Sequence, residues 1–76
     1  MGKLSNVTRE EFERFLRSLG YSLDRTSGGH NIWKGPLSNR SIVVQTHISP
    51  VPVSIILGNL KTMGIDRKEL EDFLKK

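Results

Sequence analysis

Apolar residues recur at helical spacing from Phe12 to Leu19, alternate with polar ones from Tyr21 to Thr46, and return to helical spacing through Leu74. A period that moves from 3.6 to 2 and back predicts helix, sheet, helix. Thr8 followed three residues later by Glu11 is a capping box, and Phe12, Phe15, Leu16 and Leu19 form the apolar stripe of the first helix. Glu10–Arg14 and Glu13–Arg17 are i,i+4 pairs expected on its outward face, and Gly20 ends it. Three extended segments follow: Tyr21 to Arg25, His30 to Lys34, and Arg40 to Thr46 with its β-branched run Ile42-Val43-Val44. Gly35-Pro36-Leu37-Ser38-Asn39 has loop chemistry, so the strands form an antiparallel meander.

Pro50 and Pro52 make Ile48 to Pro52 a connector. A second helix is predicted over Val53 to Met63, with Ile56, Leu60 and Met63 on one stripe and Gly64 at its end. Asp66 with Glu69 opens a short final helix carrying Leu70, Phe73 and Leu74, along which Glu71–Lys75 and Asp72–Lys76 are expected to pair. The predicted fold is α+β, of order αβββα(α), in one domain spanning 1–76.

The stretch that stands out chemically is Thr26-Ser27-Gly28-Gly29-His30-Asn31-Ile32-Trp33-Lys34. Two adjacent glycines permit the positive φ of a tight hairpin, and the strand that leaves it begins with His30. Histidine is the side chain whose unperturbed pKa lies nearest neutrality. With Arg25 and Lys34 close in sequence, this residue is placed to move a proton beside a phosphate.

Composition narrows the setting. A chain of 76 residues with 36% hydrophobic and 26% charged positions fits one small globular core rather than a disordered chain. The absence of cysteine excludes disulfides and thiolate metal sites, and no apolar run is long enough to span a bilayer. Met1 to Asn6 lacks the apolar centre of a signal peptide, so a cytoplasmic protein is expected. Twelve basic against eight acidic residues give +4, which favours polyanionic partners. Between residues 21 and 47 the only acid is Asp24, set against Arg25, Lys34 and Arg40, and both histidines lie there. The sheet is therefore the expected place for nucleic-acid contact.

The ordered run Gly20-Tyr21, Gly28-Gly29-His30-Asn31-Ile32-Trp33, Ile42-Val43-Val44, His47 and Gly64-Ile65 resembles the HicA family. These are small mRNA interferase toxins of toxin–antitoxin pairs, in which a Gly-Phe/Tyr follows the first helix and a Gly-Ser/Gly-His turn opens the second strand. A Val-Val-Pro-x-His segment closes the third strand, and the next helix ends in Ala-Gly-Leu/Ile. The resemblance runs over nearly the whole chain at matching spacing. Three positions depart from it: Gln45 stands where proline is usual, Asn59 where the helix is usually apolar, and Met63 where alanine is usual. Asn59 then faces solvent, bonds the chain nearby, or reaches RNA. The resemblance implies a fold like the double-stranded-RNA-binding domain, with helices on one face of a three-stranded sheet. It also implies metal-independent cleavage of mRNA through His30 and masking by a HicB-like antitoxin protein.

Cleavage of RNA needs a base for the 2′-OH proton, stabilisation of charge at phosphorus and an acid for the leaving oxygen. His30 is the candidate base. On composition alone a lone histidine is more often a polar turn residue, and the resemblance reverses that preference. Arg25, Lys34, Arg40 and Lys61 are the candidate phosphate contacts, each of which singly is more often a solubilising charge. His47 is either an acid partner or, as preferred, a strand-end residue bonding to the Pro50/Pro52 loop; Gly28 and Gly29 are accessory through the turn. Ile32 argues that His30's side of the strand is buried and Trp33 argues for the other side. The large area of a lone tryptophan favours Trp33 in the core, although if exposed it would stack on a base. Two histidines without nearby carboxylate or thiol ligands make a weak metal site, so no metal and no cofactor are expected. Ser5, Ser27, Ser38 and Ser41 have no base beside them to make a nucleophile. The rival functions are a non-catalytic RNA-binding module, which would bind RNA without producing new ends, and a domain that pairs a sheet edge with a partner strand.

Overall fold

The computed structural model describes residues 4–75, in the order α1 (Arg9–Ser18), β1 (Ser22–Ser27), β2 (His30–Lys34), β3 (Ile42–Gln45), α2 (Val53–Met63) and α3 (Arg67–Lys75). The three strands form one antiparallel sheet in the order β1-β2-β3, and the predicted α+β architecture holds. The capping box forms as read: Thr8 Oγ1 accepts from the Glu11 amide at 3.1 Å, and Glu11 Oε1 accepts from the Thr8 amide at 2.9 Å. Among the described residues no helix is long and apolar enough to cross a membrane.

Strand limits differ from the sequence reading for local reasons. Tyr21 is spent on the exit from α1, its amide bonding to the Leu16 carbonyl at 3.0 Å, so β1 starts one residue later than expected. A two-residue turn places Ser27 opposite His30, so β1 also runs further, to the turn itself. Asp24 is the extra residue of a bulge between Leu23 and Arg25. At the other end Arg40 is held in the loop by its amide's bond to Ser38 Oγ, and β3 opens at Ile42.

Alternation decides the faces. Asn31, Trp33, Ile42 and Val44 point into the core, and His30, Ile32, Lys34, Val43 and Gln45 share the opposite, open face. Trp33 is thus buried, as favoured, and lies in a core with Phe12, Phe15, Leu16, Ile56, Leu60 and Leu70 from the helices. Arg17 rests over its ring at 5.0 Å from the centroid. The connector is anchored to the segment before α1, where Val51 donates to the Val7 carbonyl at 2.8 Å and the Arg9 amide to Ser49 Oγ at 3.2 Å.

Three of the expected ion pairs need correction. Glu13 does not pair outward with Arg17: it is 6% exposed and binds Arg9 Nη1 at 2.8 Å. Arg9 also bridges Glu10 at 3.3 Å, where Glu10–Arg14 was expected. In α3 the pairs among the described residues are Arg67–Glu71 and Lys68–Asp72, so Glu71 looks back one turn rather than forward to Lys75. The expected Asp72–Lys76 pair lies outside the described residues.

One close approach makes a test of the packing. Tyr21 is buried with its ring directly over Gly35, and a Cβ added at Gly35 would overlap ring atoms Cγ and Cδ1. Burial raises the pKa of the Tyr21 hydroxyl above its ordinary value, the Leu37 backbone pulling partly the other way. Gly35→Ala is expected to cost about 1–3 kcal/mol through overpacking, a fall of roughly 5–20 °C in Tm for a domain of this size. Thermal unfolding followed by circular dichroism checks it, and an unchanged Tm would show that the ring is free to move aside.

Candidate active site

The site is built on the β1–β2 turn. Gly28 and Gly29 have φ of 58° and 82°, the left-handed pair of a type I′ hairpin, and Ser27 and His30 close it. The turn is held from β3 as well. The Thr46 amide and hydroxyl both donate to the Gly29 carbonyl, at 2.8 and 3.1 Å. His47 is exposed and lies against the same turn, its Nε2 occupying the space a Cβ on Gly29 would need. Its ring Nδ1 is 3.5 Å from Thr46 Oγ1, so its place is over Gly29 rather than bonded to the Pro50/Pro52 loop.

The two glycines are therefore not equivalent. Gly28 has open space around its Cα and a φ that asparagine adopts readily, whereas Gly29 combines positive φ with His47. Gly28→Asn is expected to leave Tm within about 3 °C of the parent, whereas Gly29→Ala is expected to lower it by roughly 5–15 °C and displace the His47 ring. Thermal melts together with the His47 ring resonances in an NMR spectrum read both effects. Equal melting of the two variants would contradict the assignment.

His30 is half-buried at the lip of this turn, on the sheet's open face. Its Nδ1 lies 3.1 Å from the Gly28 carbonyl oxygen. A carbonyl only accepts, so Nδ1 carries the proton and Nε2 is left as the basic nitrogen of the neutral ring. Behind His30 the strand is fixed from the core side. Asn31 Nδ2 donates to Glu13 Oε2 at 2.7 Å, Trp33 Nε1 donates to the same oxygen at 3.1 Å, and Thr26 Oγ1 donates to Asn31 Oδ1 at 2.6 Å. Arg9, Glu13, Asn31 and Thr26 thus link α1 to both strands of the hairpin.

The candidate phosphate contacts are not brought together. Arg25 is opposite Ile32, one diagonal step from His30, but its guanidinium is engaged by Asp24 at 2.8 Å. Lys34 shares His30's face at the other end of β2, about 13 Å along the strand, and lies 3.9 Å from the same Asp24. Arg40 sits in the β2–β3 loop, at the sheet end away from the turn, and Lys61 is exposed in the last turn of α2. The beginning of α2 lines the same cleft as His30, through Pro52, Ser54 and Ile55. Its N-cap is Pro52, which offers no side-chain cap, and its first turn has no acid, so its positive end is uncompensated.

A cleft of about 370 Å³ lies beside the free edge of β3, between it and the first turns of α2. His30, Val43, Gln45, Ile48, Ile55 and Asn59 are among its walls. Gln45 is the residue directly opposite His30 in the β2–β3 register. Sequence reasoning had set Gln45 and Asn59 apart only as departures from a family pattern; their convergence on one cleft with His30 is a feature of the fold. No protein-family model matches this chain, and none of the curated proteins matches it.

Proposed function

We propose that this chain is an endoribonuclease that cuts mRNA with His30 as general base, the toxin of a type II toxin–antitoxin pair. The observation that carries the reading is the bond from His30 Nδ1 to the Gly28 carbonyl, which presents Nε2 as a base at the edge of an open sheet face. The short motifs shared with the HicA pattern support it, since the glycine–histidine turn is the part of that pattern this chain keeps intact.

In this reading Nε2 of His30 takes the 2′-OH proton, the 2′-oxygen attacks phosphorus, and the bond to the 5′-oxygen breaks to leave a 2′,3′-cyclic phosphate. The leaving oxygen takes its proton from an acid, either the imidazolium that His30 has become or water. Charge on the phosphorane is met by the positive end of α2 and by Arg25 once it exchanges Asp24 for phosphate. Backbone phosphates further along meet Lys34, Arg40 and Lys61 individually, as solvent-facing cations. Partner and compartment follow from the same reading: a HicB-like antitoxin covering the His30 face, in the cytoplasm.

The test is incubation of the purified chain with end-labelled mRNA in EDTA. New ends bearing 2′,3′-cyclic phosphate are the expected product. RNA that shifts in a gel and stays intact would replace this reading with a binding module, provided circular dichroism shows a folded chain.

A further inference from the structure

The cleft beside β3 holds groups that proton transfer at His30 leaves without a task. Val43, Ile48 and Ile55 are 42%, 41% and 47% exposed around it, an apolar surface gathered at one place rather than scattered. Set into that surface are two carboxamides, Gln45 from β3 and Asn59 from α2. Asn59 Nδ2 is buried and has no hydrogen-bond partner. An amide donor shut away from water and left unpaired is destabilising, and an apolar side chain would serve the helix better.

We infer that this cleft is a nucleobase subsite, in which Asn59 and Gln45 read one base of an RNA strand next to the phosphate at His30. The inference rests on the ribonuclease reading for its ligand class. Its chemistry is that of the cleft. The volume lies in the range of small-ligand pockets, and its aliphatic walls suit the flat faces of a base. A carboxamide places a donor beside an acceptor, the complement of a base edge, and the Asn or Gln pairing with the N6 and N7 of adenine is the familiar instance. A bare phosphate would use the donor and leave the acceptor and the aliphatic walls unmatched. Register supplies the link to the reaction: Gln45 is the cross-strand partner of His30, so a base held by Gln45 belongs to a nucleotide at the reacting centre.

Binding of 2′-O-methyl homopentamers of A, C and U to the native chain, followed by fluorescence anisotropy at one salt concentration, tests this. Such strands lack the attacking hydroxyl and stay intact. The native chain is expected to favour one base over the others by about tenfold or more. Asn59→Leu is expected to bring the three affinities within about twofold of one another, with Tm unchanged or raised because the orphan donor is gone. Equal affinities in the native chain, or a preference that survives Asn59→Leu, would overturn the subsite and leave the cleft to a protein segment pairing with the edge of β3. The two readings separate cleanly. Cleavage without base preference in either binding or cut ends keeps the nuclease and rejects the subsite, and base-selective binding without cleavage does the reverse.

Discussion

Replacing His30 with alanine is expected to lower mRNA cleavage by about 10²–10⁴-fold while changing the unfolding free energy by no more than ~0.5 kcal/mol. The two halves of that expectation have separate grounds. Cleavage depends on a nitrogen that accepts a proton, and the Gly28 carbonyl fixes Nε2 as that nitrogen. Stability does not depend on the imidazole, which is half-buried on the open face and bonds only within its own turn. The turn is set by Gly28, Gly29 and the two Thr46 bonds, all of which survive the substitution. His30→Gln sharpens the experiment, because glutamine supplies a hydrogen-bonding amide that does not titrate. It is expected to be as inactive as alanine. Single-turnover cleavage of a labelled mRNA, with melting curves for all three chains, decides the matter. Cleavage retained in both variants would remove His30 from the reaction and reopen the site to His47.

What could be read beforehand was whatever depends on periodicity. The limits of α2 and β2, the capping box of α1 and the glycine hairpin follow from local rules, and local rules act the same way in any fold. The burial of Trp33 followed from a size argument, since a core this small needs its largest side chain. Less legible was anything set by one element meeting another. Glu13 lies only about 60° around the helix from Leu16, so it borders the apolar stripe, yet a glutamate followed four residues later by arginine looks like a solvated pair. Its partners, Asn31 and Trp33, come from a strand that sequence alone does not place against that helix face. The basic residues failed to gather for the same reason. Being near in sequence put Lys34 near His30, but an extended strand carries it about 13 Å away, and Asp24 holds both Lys34 and Arg25. Gln45 and Asn59 carried a signal of another kind, their difference from a pattern, which marks a position without saying what it faces.

Loss of the Glu13 carboxylate is expected to cost more stability than any other single truncation considered for this chain. Glu13→Ala would leave Arg9 without its 2.8 Å partner and the buried donors Asn31 Nδ2 and Trp33 Nε1 with nothing to bond. Breaking a buried charged network from one side costs about 3–5 kcal/mol, because the remaining groups stay desolvated. A core in a domain this small rarely supplies more than about 3–5 kcal/mol in total, so the variant is expected to be largely unfolded at 37 °C. Glu13→Gln tests whether charge or hydrogen bonding matters more. With its carbonyl oxygen in the place of Oε2 it still accepts from both donors, so it is expected to fold with about half the loss, the deficit falling on Arg9, which then faces the amide nitrogen. Asn31→Ala removes one donor together with its acceptor for Thr26 and is expected to cost about 1–3 kcal/mol. Urea titration at pH 7 orders the three variants, and a Glu13→Ala chain as stable as the parent would mean that α1 and the hairpin are held by apolar packing alone. If the ordering stands, the carboxylate that fastens α1 to β2 does so at Asn31, the residue next to His30, and the base owes its position to a group on the far side of the sheet.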